Sequence, residues 1–275
     1  MAKKILVIGD TIIDETINTK CVGISLESPT MKTEYVSSSI SYGGASNIAK
    51  NISHLGSNTE FITIGSDLDI PGVDVIYVHG VPHKKTRIWC SNGDSEYKML
   101  QVNHVGRVTE VNHDFILNAI SDQDVVVVAD YRKGLFDSSL ISNIIAWCSD
   151  LEIQCICSSQ ISDTTYDYSI FLNADFVIMN NNEYETFKAA TLYNCQCIVT
   201  MGKSGSYSYT NSGEYKVHSS GYQITPIDTT GAGDCFVAAF AHSDNSDIRG
   251  RMDFANKYAA LSTTVKGTDI YESDK

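Results

Sequence analysis

One short stretch of the chain combines a glycine turn with a single carboxylate. It reads IDTTGAGD (Ile227–Asp234) and leads into an apolar run that has no charge before Asp244. A helix that begins here presents unpaired N–H groups and a partial positive charge, which together bind anions. Gly231 and Gly233 let the backbone approach a phosphate, because no Cβ intervenes. Asp234 then has two interpretations: a general base beside the anion, or an acid that complements the helix dipole.

Other predicted strands also end in polar residues. In an open α/β sheet, ligands collect beyond the carboxyl ends of the strands, so these residues are candidates for a common site. They are Asp10 and Asp14, the stretches Asp130–Gly134 and Asn180–Glu183, and Met201–Gly205.

Two of these motifs keep two interpretations each. Asn180 and Glu183 have the spacing of a helix capping box, and also suit an amide and a carboxylate that hold a hydrated magnesium ion. Gly202-Lys203-Ser204 is not a P-loop, because Cys197 stands where its first glycine belongs. This loop is either a plain hairpin turn or a loop that contacts a nucleotide.

Near the N-terminus, Gly43-Gly44 and Asn47 stand at a predicted helix start. They form either a turn with its cap, or a close backbone approach to a polyhydroxy ligand with Asn47 bonding a hydroxyl. Asp14 either binds hydroxyls as well or is a solvated loop acid.

Short apolar runs alternate with helical periodicity along the chain, which predicts an α/β fold with a doubly wound, mostly parallel sheet. The predicted strands are Ile5–Gly9, Glu60–Ile64, Val125–Ala129, Ile153–Cys157, Phe176–Met179 and Ile198–Thr200. The predicted helices include the periodic stretches 45–55 and 140–148, together with Glu183–Ala190, Phe236–Ala241 and Asp253–Val265.

Two regions break this rhythm. Thr33–Tyr42 and Thr86–Val102 alternate as strands without a helix between strands. We expect a small β-strand lid, built from segments of approximately residues 15–42 and 84–104, over the carboxyl edge of the sheet. No linker or repeat divides the chain, so residues 1–275 are predicted to form a single domain.

Composition excludes some partners. A net charge of −13 and a pI near 4.8 argue against nucleic acid and anionic membranes. No apolar run approaches the roughly 20 residues of a membrane span, so we expect a cytoplasmic protein. The pairs Cys155/Cys157 and Cys195/Cys197 are either core residues or, less in keeping with their spacing, zinc ligands.

Taken together, these motifs resemble the ribokinase-like (PfkB-type) carbohydrate kinases, in order and over nearly the whole chain. The stretch with Gly43-Gly44 and Asn47 and the stretch DTTGAGDCF match the two family signatures. Within the family the chain is most similar to the heptose 7-phosphate kinases of the ADP-heptose pathway. The stretches that carry this similarity are VIGDTIIDE, ISLESP, GGASNIAKNISHLG, KTR, ADYRKG and IDTTGAGD.

The resemblance implies transfer of a phosphoryl group from ATP, with Mg²⁺, to a sugar hydroxyl. The similarity to the heptose kinase subgroup implies that this acceptor is the anomeric hydroxyl of a heptose 7-phosphate. The implied base is Asp234, with Gly231, Ala232 and Gly233 as the anion hole and Asn180 and Glu183 as metal ligands, partly through water. The implied substrate residues are Asp14, Gly43, Gly44, Asn47, Lys85, Arg87, Asp130 and Lys133. The implied nucleotide residues are Thr200, Gly202, Lys203, Gly205 and Asn256. A monovalent cation near the glycine turn, reactivity of Cys235 and a homodimer through the β lid are left open.

The chain also departs from the subgroup at three places. Ser158-Ser159-Gln160 replaces an Asp-Pro-Lys, Gln101-Val102-Asn103 replaces an Arg-x-Asp, and the stretch after Asp67 is too short for the usual helix. A counterpart of the C-terminal nucleotidyltransferase half of bifunctional members is not expected. Two alternatives therefore remain: a kinase of another sugar or nucleoside on the same fold, or a non-catalytic ligand-binding relative.

Overall fold

The computed structural model describes residues 2–160, 168–171, 173–187, 195–209 and 215–271. The β-strands in the described residues are, in chain order, β1 (Lys4–Gly9), β2 (Thr11–Ile24), β3 (Met31–Gly44), β4 (Asn58–Ile64), β5 (Val73–Val78), β6 (Gly80–Val81), β7 (His83–Asn92), β8 (Ser95–His104), β9 (Arg107–Val108), β10 (Val125–Asp130), β11 (Gln154–Ser159), β12 (Phe176–Asn180), β13 (Gln196–Thr200), β14 (Ser206–Tyr209) and β15 (Tyr215–Ser219).

The α-helices in the same ranges are α1 (Ala45–His54), α2 (His113–Ile120), α3 (Ser138–Asp150), α4 (Asn181–Phe187), α5 (Ala232–His242) and α6 (Ile248–Ser262). Short 3₁₀ turns lie at Tyr168–Phe171 and Gly202–Ser204. In the described part of the chain, no helix is both long and apolar enough to cross a membrane.

The main sheet has the strand order β15-β14-β13-β12-β11-β10-β1-β4-β5. Its strands run parallel from β13 to β5, and β14 and β15 are antiparallel additions at one edge. The predicted fold class, a doubly wound and mostly parallel α/β sheet with a small β-strand lid, is confirmed.

The two faces of this sheet bury different helices. On β1, Ile5 and Val7 pack with α1, α5 and α6, whereas Leu6 and Ile8 pack with α2 and α3. This alternation follows from the two-residue period of a strand. Because both faces are covered, the central strands carry apolar residues on both sides and read as continuous apolar runs.

The strand order reverses beside β1, since β4 lies on one side of it and β10 on the other. Such a switch point opens a crevice at the carboxyl ends of the strands, where ligands bind. Asp10 follows β1 directly and Asp130 ends β10, so the crevice begins between these two carboxylates.

A four-stranded sheet in the order β3-β2-β7-β8 forms the β lid. Its two hairpins are antiparallel and meet through the parallel pair of β2 and β7. The last strand of the first hairpin, β3, runs straight into α1 through Gly43 and Gly44, so the lid is joined to the site. The expected absence of a helix after Asp67 also holds: residues 65–72 connect the parallel strands β4 and β5 without one.

Candidate active site

The carboxyl ends of β10 to β13 and the start of α5 enclose a cavity of about 140 Å³. Several of the predicted site residues from distant parts of the chain meet at this cavity. Its lining includes Asp130, Asn180, Glu183, Thr200, Gly233 and Asp234, together with Tyr131, Ser158, Ser159 and Gln160.

At Gly231 the glycine turn approaches Asn47 so closely that a side chain there would displace the Asn47 amide. Gly231 has a φ of 78°, and a Cβ on it would lie 2.6 Å from Asn47 Nδ2. No side chain caps the start of α5. The N–H of Ala232 donates to Thr229 O at 3.3 Å, so of the three residues of the predicted anion hole this one already has a partner inside the turn.

Asp234 lies half-buried in the first turn of α5 and accepts hydrogen bonds on both carboxylate oxygens. Tyr131 Oη donates to Oδ1, and Asn47 Nδ2 donates to Oδ2 at 3.0 Å. Burial raises the pKa of Asp234 to about 6, although both hydrogen bonds and the positive charge of Lys50 act in the opposite direction. A carboxylate with a pKa near neutrality suits a general base.

Tyr131 lies in the candidate stretch Asp130–Gly134, but sequence reasoning assigned it no role of its own. Burial, with the negative charge of Asp234 as the next cause, raises the pKa of its phenol well above its usual range, so the phenol remains a donor. A Cβ on Gly44 would lie 3.4 Å from the Tyr131 ring, which places this ring between the predicted sugar site and the base. The signal was present in ADYRKG, where a tyrosine directly follows a strand end.

Asp10 shapes the loop that holds Tyr131. It is fully buried and accepts backbone N–H groups from Tyr131, Lys133 and Leu135 at 3.1, 3.0 and 3.1 Å. Burial raises the pKa of Asp10 to about 6, against these three bonds. The role of Asp10 is therefore to fix the loop after β10.

Asp130 also has structural partners. Its carboxylate accepts the N–H of Arg132 at 2.8 Å and the hydroxyl of Ser159 at 3.2 Å. Arg132 has a φ of 57°, in the left-handed region, so the loop makes a sharp turn here. Asp130 lines the cavity, and its predicted contact with substrate remains a prediction.

Ser158 and Ser159 belong to β11 itself, so this strand extends beyond the predicted bound at Cys157.

Asn180 and Glu183 form a reciprocal capping box at the start of α4. The N–H of Asn180 donates to Glu183 Oε2 at 2.8 Å, and the N–H of Glu183 donates to Asn180 Oδ1 at 3.0 Å. Both side chains also line the cavity, so the cap and a water-mediated metal contact are compatible. Among the described residues, no group of three or more His, Cys, Asp or Glu side chains has the arrangement of a metal site.

On the β lid, the predicted substrate residues Asp14 and Arg87 form a half-buried ion pair with each other. Lys85 stands opposite Asp14 in the register of β2 and β7. Lys84, on the other face of β7, pairs with Glu15 at 2.9 Å. A Cβ on Gly43 would lie 3.5 Å from Asp14 Oδ2, so the lid carboxylate adjoins the glycine pair.

The predicted nucleotide loop is a hairpin connection between β13 and β14, with Lys203 exposed at its tip. A Cβ on Gly205 would lie 2.1 Å from Ser219 O, so backbone from the next hairpin fills that space. Asn256 is buried in α6 and donates to Ser206 Oγ at 3.0 Å and Ser219 Oγ at 2.6 Å. The structure thus brings Thr200 to the cavity lining, but not Asn256, whose amide holds the edge strands.

The cysteines are free thiols, most of them buried. The two Cys-x-Cys pairs, Cys155/Cys157 and Cys195/Cys197, pack in the core cluster beneath α3. Burial raises the pKa of Cys235, beside the base, to about 11, so this residue remains a protonated thiol at neutral pH.

Comparison with known proteins places the chain in a family. The family model described as pfkB family carbohydrate kinase matches residues 2–275. The chain is 26% identical to the bifunctional protein HldE of Helicobacter hepaticus, over 97% of this chain and 61% of that protein. It is also 26% identical to HldE of Geobacter sulfurreducens, over 96% of this chain and 59% of that protein. The chain thus spans about three fifths of the length of these curated relatives.

Solved structures share the fold. Arabidopsis thaliana ribokinase, complexed with ribose and ATP, superposes with a TM-score of 0.73 at 18% identity, covering 97% of this chain and 94% of that one. Escherichia coli phosphofructokinase-2, in complex with potassium, gives a TM-score of 0.74 at 16% identity, covering 98% and 95%. Because the family model matches residues 2–275, the chain belongs to the pfkB family of carbohydrate kinases.

Proposed function

We propose that the chain transfers the γ-phosphoryl group of ATP to a sugar hydroxyl, with Asp234 as general base. The observation that carries this proposal is the placement of Asp234: half-buried, at the start of a helix and at the cavity formed by the strand ends. Its pKa of about 6 leaves it ionised at neutral pH and still able to take a proton.

Charge that develops on the transferred group is stabilised by the start of α5. Backbone N–H groups of Gly231 and Gly233 and the helix dipole act there, and they need no reorganisation during the reaction. Ala232 contributes in the same way only if its N–H releases Thr229 O. Closure of the β lid excludes water, which would otherwise compete as the phosphoryl acceptor.

The oxygen donors at the cavity fit a magnesium ion. Asn180 Oδ1 and Glu183 Oε2 each accept a backbone N–H, so these residues would hold the ion partly through water. Magnesium keeps several waters and favours carboxylate and amide oxygens, which agrees with this donor set. When bound, the ion supplies positive charge to the phosphate oxygens of ATP.

For the nucleotide, we propose contacts from Thr200, Gly202, Lys203 and Gly205. Asn256 would support this loop indirectly, through its hydrogen bond to Ser206 Oγ. The hairpin that carries Lys203 follows β13, the strand that ends at Thr200 on the cavity. An exposed lysine at that position is available to a phosphate or ribose group.

The proposed acceptor is the anomeric hydroxyl of a heptose 7-phosphate. Support comes from the HldE relatives and from the stretches shared with the heptose kinase subgroup. Asp14, Gly43, Gly44 and Asn47 would hold the sugar, with Asp130. Arg87, Lys85 and Lys133 would neutralise its phosphate.

Arg87 has to divide its charge between two partners in this proposal. In the free protein it pairs with Asp14, so an incoming phosphate would compete for the guanidinium and release the carboxylate to sugar hydroxyls. The net charge of −13 makes these few lid cations the local attraction for an anionic substrate.

We further propose a cytoplasmic location and a homodimer through the β lid. Free thiols throughout the chain suit a reducing compartment. Exposed apolar side chains on the lid, including Ile24, Leu26 and Tyr35, support pairing of two lids. Sedimentation of wild type against Tyr35→Asp tests this, since loss of a dimer only in the variant is the expected result.

The experiment for the kinase proposal is ADP release across a panel of sugars and nucleosides that includes heptose 7-phosphate. We expect sugar-dependent release, lowered by a factor on the order of 10²–10⁴ in Asp234→Asn. Sugar-independent release that Asp234→Asn leaves unchanged would overturn the kinase proposal.

The lid cations decide the substrate class. Arg87→Gln is expected to raise KM for the phosphorylated sugar at least about tenfold, whereas Lys84→Gln, on the opposite face of β7, leaves it unchanged. Turnover of unphosphorylated substrates alone would refute the heptose 7-phosphate assignment and leave the kinase standing.

A further inference from the structure

A continuous chain of hydrogen bonds runs from the buried face of α6 to the carboxylate of Asp234. Tyr258 Oη donates to Asn51 Oδ1 at 2.8 Å, and Asn51 Nδ2 donates to Asn47 Oδ1 at 3.1 Å. Asn47 Nδ2 then donates to Asp234 Oδ2 at 3.0 Å. Each link joins a different pair of positions on α6, α1 and α5, which pack together on one face of the sheet.

We propose that Tyr258 and Asn51 are positioning residues, which act through Asn47 to aim a hydrogen-bond donor at the base. This inference rests on the proposed function, in which Asp234 accepts the proton of the sugar hydroxyl. Neither residue lines the cavity, so neither is expected to touch substrate.

The direction in which these hydrogen bonds donate, from Tyr258 toward Asp234, is the physical basis of the inference. A side-chain amide offers an oxygen on one side and an N–H₂ group on the other, and its orientation follows from its partners. A phenol donor at Asn51 Oδ1 turns the Asn51 amide nitrogen toward Asn47. That nitrogen occupies Asn47 Oδ1, and therefore the Asn47 nitrogen faces Asp234. Burial raises the pKa of the Tyr258 phenol well above its usual range, so its hydroxyl keeps the proton that starts this series of hydrogen bonds.

Burial makes this orientation hard to replace. Asn47, Asn51 and Tyr258 are 1%, 3% and 9% exposed, so bulk water does not reach them to reorient an amide. A second bond from Asn51 Nδ2 to Asn47 O, at 2.7 Å, fixes Asn51 against the backbone of its own helix. Buried polar groups are costly unless every partner is present, so loss of one link is expected to disturb the others.

The glycine turn gives an independent sign that the place of the Asn47 amide is built into the fold. A Cβ on Gly231 would lie 2.6 Å from Asn47 Nδ2. The turn that opens α5 therefore leaves room for an amide donor at this point. On its other oxygen, Asp234 accepts a hydrogen bond from the hydroxyl of Tyr131. The base is therefore held between two donors: the Tyr131 phenol directly, and the Asn47 amide, which is linked through Asn51 to the Tyr258 phenol.

Other charged and titratable groups face the base as well. Lys50 lies on α1 and lowers the pKa of Asp234, while the neighbouring Cys235 and the Tyr131 phenol adjoin it from α5 and from the loop after β10. Glu183 acts on Tyr131 from α4. These groups are unchanged in the variants below, so a shift in the pH dependence of activity reports the hydrogen bonds from Tyr258 to Asp234.

The test compares Tyr258→Phe and Asn51→Leu with Tyr77→Phe. Tyr77 is more exposed than Tyr258, and it controls for the loss of a tyrosine hydroxyl: its hydroxyl also bonds within the protein, to the backbone of Leu68, but lies outside this series of hydrogen bonds. With ATP and the best sugar of the panel, we expect kcat to fall about tenfold in Tyr258→Phe and further in Asn51→Leu, with KM for ATP unchanged.

The pH profile separates positioning from general damage. A donor to the ionised carboxylate lowers its pKa, so weakening that donor moves the acid limb of kcat/KM to higher pH, by about half a unit or more. Tyr77→Phe is expected to keep both kcat and the limb. A kcat within twofold of wild type in folded Tyr258→Phe, or a fall in kcat with an unmoved limb, would overturn the inference.

A direct measurement keeps this test apart from the proposed function. The pKa of the Asp234 carboxyl group can be measured from the ¹³C NMR shift of its carboxyl carbon. It is expected to rise in Tyr258→Phe, whether or not a sugar substrate has been found. An unchanged NMR pKa refutes the positioning role, whereas a changed pKa in a chain without kinase activity refutes only the proposed function. Tyr258→Phe retains the ring and decides the question if Asn51→Leu does not fold.

Discussion

Two glycines at the start of α5, only two residues apart, are expected to respond in opposite ways to the same substitution. Gly231 has a φ of 78°, and a Cβ on it would lie 2.6 Å from Asn47 Nδ2. Gly233 lies inside α5, and a Cβ on it would meet nothing within 4 Å. Gly231→Ala should therefore destabilise the protein, and Gly233→Ala should stabilise it.

The magnitude for Gly231→Ala comes from two contributions. An alanine in the left-handed region costs roughly 1–2 kcal/mol. Displacing Asn47 from Asp234 removes a hydrogen bond to a charged group, which contributes about 1.5–3 kcal/mol. The free energy of unfolding should fall by roughly 2.5–5 kcal/mol in total. At Gly233 the gain is about 0.5–1 kcal/mol, the difference between glycine and alanine inside a helix.

The assay is urea unfolding of wild type and both variants, followed by far-UV circular dichroism and by tryptophan fluorescence. The midpoint should shift to lower urea for Gly231→Ala and to higher urea for Gly233→Ala, with similar slopes. A Gly231→Ala variant within about 0.5 kcal/mol of wild type would show that the approach of Asn47 does not constrain this position, and a shift to lower urea for Gly233→Ala would refute the expected gain there.

Two further predictions concern the carboxylates of Asp234 and Asp10. Because Asp234 must be ionised to accept a proton and its pKa is about 6, kcat/KM should be full above pH 7 and fall about tenfold per pH unit well below 6; a flat profile between pH 5 and 8 would contradict its role as the base. Asp10→Ala leaves three N–H groups, one buried and two half-buried, without their acceptor, so the free energy of unfolding in urea should fall by about 2–4 kcal/mol. The exposed Asp69→Ala should lose less than about 0.5 kcal/mol, and equal losses in the two variants would refute the role given to Asp10.

Much of the fold could be predicted because its main determinants are local. The strand predicted at Val125–Ala129 is β10, Val125–Asp130, and the helix predicted at Phe236–Ala241 lies within α5, Ala232–His242. Continuous apolar runs and helical periodicity report burial on both faces of a sheet and on one face of a helix. Part of the helix predicted at Glu183–Ala190, residues 188–190, lies outside the described residues.

Strand β2, Thr11–Ile24, was not recognised, although most of it lies within the predicted lid segment of residues 15–42. Most of its residues are half-buried or exposed, and it mixes acids, threonines and isoleucines. Such a strand is stabilised by its partners β3 and β7 rather than by its own pattern. Strand preference depends strongly on this kind of context, so sequence pattern alone gives a weak signal here.

The sequence by itself determined the chemistry that is available: a carboxylate after a glycine turn at a helix start, polar strand ends and the family that combines them. Only the tertiary structure decided which groups meet. Asn47 and Asp234 are 187 residues apart, yet they share a hydrogen bond, and Tyr131 and Tyr258 reach the same network from two further elements. A glycine turn is encoded by local backbone freedom, whereas a bond between distant side chains requires the packed helices and strand ends to bring both atoms within about 3 Å.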